Sequence, residues 1–435
     1  MAADRLLDLL TKFDTQQIER VFGGEAAFQP PDPTVKLAPI QRVAIIAEAF
    51  LPKVDGVSKS AFLTMHYLRQ TGREVLIFAP DIAPDRVGDT PVVRVPSLGV
   101  PRVPETRMAL PNPFLAQKLE AFQPDLIHLF SPAMMSISGM ATGRHLGIPI
   151  IANYQTDLPG YSEVYGVPFL KPMLWKWLRY IHNGCHLTLA PSNFTINELR
   201  GHGFRRLRPW GRGVDSERFS PAHRSAAWRD RLLAGRDPND LLCIYAGRLA
   251  TEKRVDLLLD VARLPGVALT IIGDGSEREY LETLFAGTNT HFTGYLFGPD
   301  LPAAFASADV FLFTGPNETF GQVVQESMAS GLPSVVIDQG GVRDLIQEGI
   351  SGFVCPGRPA AFAERVRLLR DYPDLRQQMA QNARQLAADR PWERIMSQLE
   401  ANYTEAFTLN QRFRGIFGET NYHHMRRMAS LLLAG

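Results

Sequence analysis

Cysteine is scarce in this sequence, and charge of neither sign dominates it. The three cysteines, Cys185, Cys243 and Cys355, lie far apart and are odd in number. They therefore build neither a disulfide framework nor the ligand spacing of a metal site, and a reducing compartment fits them best. Lysine and arginine total 46, and aspartate and glutamate total 45. This balance gives the whole chain no attraction toward nucleic acid.

Long apolar segments are also missing. The longest uncharged run, between Asp125 and Arg144, is interrupted by Pro132 and Gly139, whereas a membrane-spanning helix needs ~20 mostly apolar residues. We interpret this run as a buried strand followed by a helix. The N-terminus lacks the residue order of a signal peptide. These absences predict a cytoplasmic protein and leave peripheral attachment to the inner face of the membrane open.

Short apolar runs that alternate with helical stretches fill most of the chain, and 435 residues are too many for one ordinary core. Near-continuous apolar strands separated by helices indicate parallel sheets. Because the pattern restarts in the second half, the predicted fold class is α/β, with two Rossmann-like domains facing across a cleft. The predicted strands are 43–47, 75–78, 126–130, 149–152, 187–190, 241–245, 268–272, 310–313 and 333–337, and helices are predicted at 58–70 and 193–201.

Four segments follow from this pattern. Residues 1–40 form an extension with an amphipathic stretch and a proline-rich linker, and residues 41–212 form an N-terminal Rossmann-like domain. Residues 213–390 form a C-terminal Rossmann-like domain, and residues 391–435 form a helical segment expected to pack back on the N-terminal domain. For both terminal segments, a helix packed on the surface and a membrane or oligomer contact are the alternatives.

Two turns in the second half follow apolar strands. Residues 245–253, Tyr-Ala-Gly-Arg-Leu-Ala-Thr-Glu-Lys, place Arg248 and Lys253 at the carboxyl end of a strand. Two cations at such a junction suit a diphosphate leaving group, and two solvated surface charges are the alternative. Gly273 ends the next strand, although any tight connection uses glycine.

A third turn carries a carboxylate and opens a helix. Residues 314–322, Thr-Gly-Pro-Asn-Glu-Thr-Phe-Gly-Gln, place Glu318 before the helix and Glu326 about two turns along it. The backbone N–H groups of Thr319, Phe320 and Gly321 suit anionic oxygens or sugar hydroxyls. Glu326 suits a ribose diol. A solvated carboxylate at the helix start is the alternative for Glu318.

Together with Gly340-Gly341, these motifs resemble the retaining glycosyltransferases of family 4, over a nearly continuous stretch from about 41 to 390. The resemblance implies the GT-B architecture and a nucleotide-diphosphate sugar as donor. It makes residues 41–212 the acceptor-side domain and residues 213–390 the nucleotide-sugar-binding domain. It implies that Arg248 and Lys253 bind the donor diphosphate and that Glu326 binds ribose. It also implies that Glu318 lies near the donor sugar. The predicted catalytic residues are therefore Glu318, Arg248 and Lys253.

The resemblance extends into the first half. Residues 52–58 resemble the family's glycine loop, where the backbone approaches phosphate, and Gly56 is the matching glycine. Gln155 stands where many relatives carry histidine, which argues against an essential imidazole at this position. Asp157 is either an acceptor-side group or a helix cap. Arg212, within Trp-Gly-Arg-Gly-Val-Asp, is predicted to lie near the cleft on the acceptor side.

Two branches of the family resemble this chain. Residues 155–157 and 318–326 are similar to GDP-mannose-dependent α-mannosyltransferases with glycolipid acceptors, and residues 210–215 are similar to sulfoquinovosyl-diacylglycerol synthases. We favour α-mannosyl transfer to a lipid or glycolipid, with a UDP-sugar-dependent lipid glycosyltransferase as the alternative. The resemblance implies reaction on the face of the leaving group without a protein nucleophile. Because no metal-ligand cluster is visible, we expect activity to survive EDTA.

Residues 169–180, Phe-Leu-Lys-Pro-Met-Leu-Trp-Lys-Trp-Leu-Arg-Tyr, bear on how an acceptor is reached. The combination of aromatic and basic residues favours a helix that lies at the membrane interface and admits a lipid. A half-buried helix with its aromatics in the core is an equal alternative. A glycosyltransferase with a soluble acceptor and a nucleotide-sugar-binding protein without turnover are further alternatives. The presence of Arg248, Lys253, Glu318 and Glu326 together argues against the last.

Overall fold

The chain forms two parallel β-sheets joined by helical connections. The computed structural model describes residues 39–52, 56–100, 103–109, 113–130 and 132–417. The predicted amphipathic stretch and proline-rich linker before residue 39 lie outside the described residues, as do residues 53–55 of the glycine loop and the tail from residue 418.

The first sheet is built by the N-terminal half. The strands of this half are β1 (Arg42–Ala47), β2 (Glu74–Pro80), β3 (Arg86–Val87), β4 (Thr90–Val95), β5 (Ser97–Val100), β6 (Val103–Ala109), β7 (Leu126–Phe130), β8 (Ile150–Asn153), β9 (Leu187–Ala190) and β10 (Leu207–Pro209). The sheet order is β10-β9-β8-β7-β1-β2-β4-β3, and β5 and β6 form a separate antiparallel pair. The helices are α1 (Gly56–Gln70), α2 (Pro113–Phe122), α3 (Met134–Leu146), α4 (Leu158–Val164), α5 (Lys171–Gly184) and α6 (Asn193–Gly201).

The second sheet has the strand order of a Rossmann domain. Its strands are β11 (Leu241–Ala246), β12 (Val267–Ile272), β13 (Thr290–Gly294), β14 (Val310–Phe313), β15 (Ser334–Ile337) and β16 (Gly352–Cys355). They lie in the order β13-β12-β11-β14-β15-β16. The helices are α7 (Ala226–Leu233), α8 (Leu259–Ala262), α9 (Arg278–Leu284), α10 (Asp300–Ser307), α11 (Gln322–Ala329), α12 (Pro359–Asp371), α13 (Pro373–Ala388) and α14 (Trp392–Phe417).

The predicted α/β class with two parallel sheets is confirmed. The strands predicted at 126–130 and 187–190 coincide with β7 and β9, and the helix predicted at 193–201 coincides with α6. Residues 86–109 carry four short strands that the apolar pattern did not indicate. Pro91, Pro96 and Pro104 interrupt that stretch, and proline removes a ladder hydrogen bond, so the pattern there does not look like a strand.

Helix α14 packs on the N-terminal sheet although it follows the C-terminal one in sequence. Met396 and Tyr403 are buried within the hydrophobic cluster of the N-terminal half. The Tyr403 hydroxyl lies 2.8 Å from Nδ1 of the buried His128. The Arg73 guanidinium donates to both carboxylate oxygens of Glu400, at 2.6 and 2.8 Å. The chain therefore passes between the two halves twice.

The two crossing segments, residues 211–215 and 389–392, lie side by side. Val214 N donates to Arg390 O at 3.0 Å, and Val214 forms a parallel bridge with Pro391. A Cβ on Gly213 would lie 2.5 Å from Cα of Trp392. This close packing sets how the two sheets face each other.

Candidate active site

The loops that follow the strands of the two sheets meet across a cleft. Thr319 Oγ1 donates to Gln155 O at 2.9 Å, and Asn317 Nδ2 donates to Asp157 Oδ2 at 3.3 Å. One partner in each bond follows β8 and the other follows β14. Since ligands of open α/β sheets bind at the carboxyl ends of strands, this cleft is the candidate site.

The turn after β11 carries both predicted cations. A short 3₁₀ helix spans Thr251–Lys253. Arg248 forms an ion pair with Glu252, and Lys253 Nζ forms one with Glu318 Oε1. The structure thus brings Lys253 together with the carboxylate of the loop after β14, and it places Arg248 on the same turn.

Lys253 and Glu318 keep each other charged. Burial disfavours the Lys253 ammonium, but the Glu318 carboxylate outweighs this effect and raises the pKa of Lys253 above its usual range. Burial also opposes ionisation of Glu318, yet Lys253 holds the pKa of Glu318 below its usual value. At neutral pH the pair therefore consists of a cation and a carboxylate that has no proton to donate.

Backbone contacts hold the loop that contains Glu318. Gly341 N donates to Glu318 O at 2.6 Å, and Gly321, with φ at 91°, leads into α11. The Phe320 ring is 3% exposed and belongs to the C-terminal core. The Phe320 ring therefore packs inside the protein, and a role of its backbone N–H toward a ligand stays a prediction.

Glu326 lies on α11, which begins at Gln322. It is about one turn into the helix, so the predicted position two turns along is wrong, because the helix starts after the loop residues Thr319 to Gly321. Its carboxylate accepts a hydrogen bond from Lys59 Nζ of α1 at 2.7 Å. The sequence analysis missed Lys59, because a lysine early in an ordinary helix carries no motif of its own.

Gln155 and Asp157 lie on the N-terminal side of the cleft. Asp157 Oδ1 accepts from Gly160 N at 2.9 Å and caps α4, while its other oxygen faces Asn317 across the cleft. Gln155 is 8% exposed, and its side-chain oxygen has no hydrogen-bond partner among the described residues. Capping is thus a structural role of Asp157, and an acceptor-side role for both residues stays a prediction.

Two glycines predicted for the site have close neighbours. A Cβ on Gly56 would lie 2.1 Å from Arg212 Nη1, so the missing side chain leaves room for a guanidinium beside the glycine loop. Arg212 is 7% exposed. Gly273 has φ at 139°, and a Cβ there would lie 1.9 Å from Gly247 O. Only glycine fits that approach, which packs the turns after β11 and β12 together.

Two tyrosines, one in α4 and one directly after it, lie over the turn that follows β11, and neither was predicted. Tyr165, the residue after α4, donates its hydroxyl to Glu252 Oε2 at 3.4 Å. Burial raises the pKa of Tyr161 to about 12, although the nearby Lys253 ammonium opposes the rise. Tyr161 is therefore a neutral hydroxyl close to Lys253. The spacing of four residues between the tyrosines, just after residues 155–157, was the available signal.

Helix α5 divides its aromatic and apolar residues between the core and the surface. Trp175 is 7% exposed, and its ring stacks on His202 with centroids 3.7 Å apart. Phe169 and Met173, at the start of the helix, are 75% and 58% exposed. The core alternative therefore holds for Trp175, and a separate apolar edge faces outward.

The described residues contain neither a metal-binding cluster nor a membrane-spanning helix. Within the described ranges, no three histidine, cysteine, aspartate or glutamate side chains gather as a metal site would require. None of the helices in the described part of the chain combines the length and apolar character needed to cross a bilayer.

Two family models match this chain. The Glycosyltransferase Family 4 model matches residues 54–218, and the model for Glycosyl transferases group 1 matches residues 228–386. A GDP-mannose-dependent alpha-mannosyltransferase of Mycobacterium tuberculosis is 40% identical over 83% of this chain and 96% of its own length. The chain belongs to the family 4 glycosyltransferases.

Two further relatives support this assignment. A sulfoquinovosyl transferase of Arabidopsis thaliana is 34% identical over 81% of this chain and 71% of its own length. The solved structure of Anabaena HepE with UDP and glucose matches with a TM-score of 0.65 and 18% identity, over 87% of this chain and 100% of that one. The predicted GT-B architecture is confirmed, and the protein is an enzyme that transfers glycosyl groups.

Glu48 is a buried carboxyl that the sequence analysis did not single out. It follows β1, and its Oε1 accepts from Ala133 N and Ser136 N, both at 3.0 Å, at the start of α3. Its Oε2 has no hydrogen-bond partner among the described residues. Burial raises the pKa of Glu48 to about 7, against the lowering effect of the backbone N–H groups. Between pH 4.5 and about pH 7, Glu48 therefore keeps its proton in the folded enzyme and loses it in the unfolded chain.

Glu48→Gln should make this glycosyltransferase less sensitive to pH. A carboxyl pKa raised on folding leaves stability intact at low pH and removes it as the pH rises from about 4.5 to about 7. The loss in wild type is about 3 kcal/mol at most. Urea unfolding at pH 5 and pH 8 should therefore show that the free energy of unfolding falls less between these pH values in the variant than in wild type. The exposed Glu120→Gln is the control, and equal pH profiles for Glu48→Gln and wild type would contradict the raised pKa.

Lys253→Ala should lower turnover by ~10²-fold or more, because a preorganised cation at a departing diphosphate is lost. The melting temperature should change far less, since Lys253 lies at the cleft and not in a hydrophobic core. Steady-state kinetics and thermal melts measure the two effects. Arg263→Ala, an exposed cation of the same domain, is the matched control. A normal rate for Lys253→Ala would remove Lys253 from the diphosphate site.

Proposed function

We propose that this enzyme transfers an α-mannosyl group from GDP-mannose to a lipid or glycolipid acceptor, with retention of configuration. The observation that carries the proposal is the grouping of Arg248, Lys253, Glu318 and Glu326 in one cleft. Three relatives named as GDP-mannose-dependent alpha-mannosyltransferases, at 37–40% identity, support the choice of donor.

The donor diphosphate is assigned to Arg248 and Lys253. Each is already matched by a carboxylate, Glu252 and Glu318 respectively. A diphosphate would compete for these cations or share them, and it brings more negative charge than either carboxylate. The backbone N–H groups of residues 319–321 lie beside this pair and are assigned to the donor sugar and phosphate. The ribose diol is assigned to Glu326.

The acceptor is assigned to the N-terminal side of the cleft. Gln155 and Asp157 lie there, each joined by a hydrogen bond to the loop that carries Glu318. Arg212 is a cation next to Gly56, which suits an acidic group on an acceptor headgroup. In this arrangement the acceptor hydroxyl approaches the sugar on the same face as the departing diphosphate.

The cleft favours a reaction without a protein nucleophile. Lys253 pairs with Glu318 and lowers its pKa, which makes the Glu318 carboxylate a weak nucleophile and a weak base, and Gln155 is a neutral amide. A donor phosphate oxygen is left to take the proton of the acceptor hydroxyl, while the protein positions both substrates and stabilises the developing charge. Because the cations named above meet that charge, we expect transfer to persist in EDTA.

A UDP-sugar-dependent transfer to diacylglycerol is the second candidate. The observation in its favour is the sulfoquinovosyl transferase of Arabidopsis thaliana at 34% identity. This candidate uses the same diphosphate site and changes the contacts to the base and the sugar. Residues 293–296 and Glu318 border that part of the cleft in our assignment, and Tyr295 Oη donates to Asp274 O at 2.8 Å.

A transfer assay with purified enzyme separates the two candidates. GDP-mannose, UDP-glucose and UDP-sulfoquinovose are each offered with diacylglycerol and glucuronosyl-diacylglycerol in mixed micelles, with and without EDTA. We expect transfer from GDP-mannose in both buffers. Transfer from a UDP donor alone would contradict the mannosyl assignment and support the second candidate, and strict dependence on metal would contradict the metal-free site.

We further propose that the apolar edge at the start of α5 contacts the membrane. Phe169 and Met173 are exposed there, and Lys171 and Lys176 are the nearby cations. Glu163 pairs with Lys171 at 2.7 Å. Such an edge would keep the acceptor-side domain close to lipid acceptors.

Replacing Phe169 and Met173 together by serine should lower sedimentation with anionic liposomes by several-fold, because exposed apolar area is lost. The melting temperature should hold, since both side chains face outward. A matched control replaces Ile350 and Tyr372, which are 51% and 59% exposed on the C-terminal domain. If both double variants sediment like wild type, α5 is not the membrane contact.

A further inference from the structure

Lys59 and Glu326 form an ion pair between the two domains. Lys59 Nζ lies 2.7 Å from Glu326 Oε1, and their side chains are 19% and 8% exposed. The two residues are 267 positions apart in sequence, on α1 of the N-terminal domain and α11 of the C-terminal domain. A charge-assisted hydrogen bond with this little solvent exposure is stronger than a surface pair.

The pair leaves half of the carboxylate for a ligand. The hydrogen bonds that described residues give to Glu326 both reach Oε1, from Lys59 Nζ at 2.7 Å and from Gln322 Nε2 at 3.4 Å. Gln322 Nε2 also donates to Gly213 O, in the crossing segment, at 3.0 Å. Oε1 is thus fixed by one group from each side of the cleft, while Oε2 can accept from a diol.

We propose that Lys59 is a positioning residue that couples recognition of the donor ribose to the approach of the two domains. The inference rests on the proposed function, in which Glu326 binds the ribose. Lys59 holds the carboxylate in the orientation that the diol needs, and it can do so only while α1 and α11 are adjacent. Nucleotide binding and closure of the cleft are then thermodynamically linked. Binding stabilises the closed cleft by the same free energy by which closure strengthens binding.

The proposed role of Lys59 differs from direct binding of the diphosphate in the carboxylate that it holds. Lys59 pairs with Glu326, which is assigned to the ribose, whereas Lys253 and Arg248, which are assigned to the diphosphate, pair with Glu318 and Glu252. The loss of Lys59 should therefore weaken the binding of GDP and the donor while leaving the chemical step nearly intact. The loss of Lys253 should reduce turnover itself.

The test compares Lys59→Met, Lys59→Arg and the control Arg69→Met, an exposed cation at the far end of the same helix. Calorimetry with GDP and steady-state kinetics with the donor should show the dissociation constant and KM rising ~10–100-fold in Lys59→Met. Its kcat should stay within about threefold of wild type. Lys59→Arg should recover most of the affinity, and Arg69→Met should match wild type. If the methionine variant melts early, Lys59→Gln replaces it.

A double-mutant cycle tests whether Lys59 affects GDP affinity through Glu326. In a Glu326→Gln background, Lys59→Met should have little further effect on GDP affinity, because the partner charge is already gone. Small-angle scattering should show compaction by GDP in wild type and less compaction in Lys59→Met at saturating GDP. Unchanged GDP affinity in Lys59→Met, or full additivity in the cycle, would overturn the proposal.

The failure of the proposed function gives a different result. If wild type binds no nucleoside diphosphate and transfers sugar from none of the donors, the proposed function and the role of Lys59 are both wrong. If wild type transfers sugar and Lys59→Met has the wild-type KM, the role of Lys59 alone is wrong.

Discussion

The return of helix α14 to the N-terminal domain is the constraint on which the cleft depends. The helix is anchored by the buried contact of Tyr403 with His128 and by the two hydrogen bonds from Arg73 to Glu400. Because the chain crosses between the domains twice, at adjacent segments, the relative orientation of the sheets is restricted near residues 213 and 391. The crossing also borders the site, since Gln322 Nε2 donates to Gly213 O at 3.0 Å and Arg212 lies beside Gly56.

Ion pairs within and across the cleft set its chemistry. Lys253 with Glu318 and Arg248 with Glu252 lie on the C-terminal side, and Lys59 with Glu326 spans the two sides. Paired carboxylates lower the cost of keeping cations in a poorly solvated place, since an isolated buried charge is expensive. The same carboxylates keep the cations in position, so under the proposed function a diphosphate would meet groups that are already oriented.

Much of the fold, and part of the site, could be predicted from the sequence. Apolar runs such as 126–130 identify buried strands because both faces of a parallel sheet exclude water. The sequence put Lys253 and Glu318 in strand-end loops, and the structure joins them in an ion pair, while their roles toward a donor stay predictions. Lys59 could not be predicted, since it faces Glu326 from an ordinary helix and becomes relevant through the domain arrangement. The helix start before Glu326 was misplaced by about a turn, because loop residues can resemble a first helical turn.

The distribution of protons in the cleft supports positioning as the main contribution of the protein. Lys253 lowers the pKa of Glu318, so the Glu318 carboxylate is a weak base, and Asp157 is engaged as a helix cap. His128, a buried imidazole of the N-terminal sheet, has its pKa lowered by burial to about 4 and is bonded to Asn153 and Tyr403. Its 0% exposure keeps it from any substrate. Under the proposed function, the donor phosphate is therefore the group that takes the acceptor proton. Glutamine at position 155, where many relatives have histidine, is compatible with that reaction.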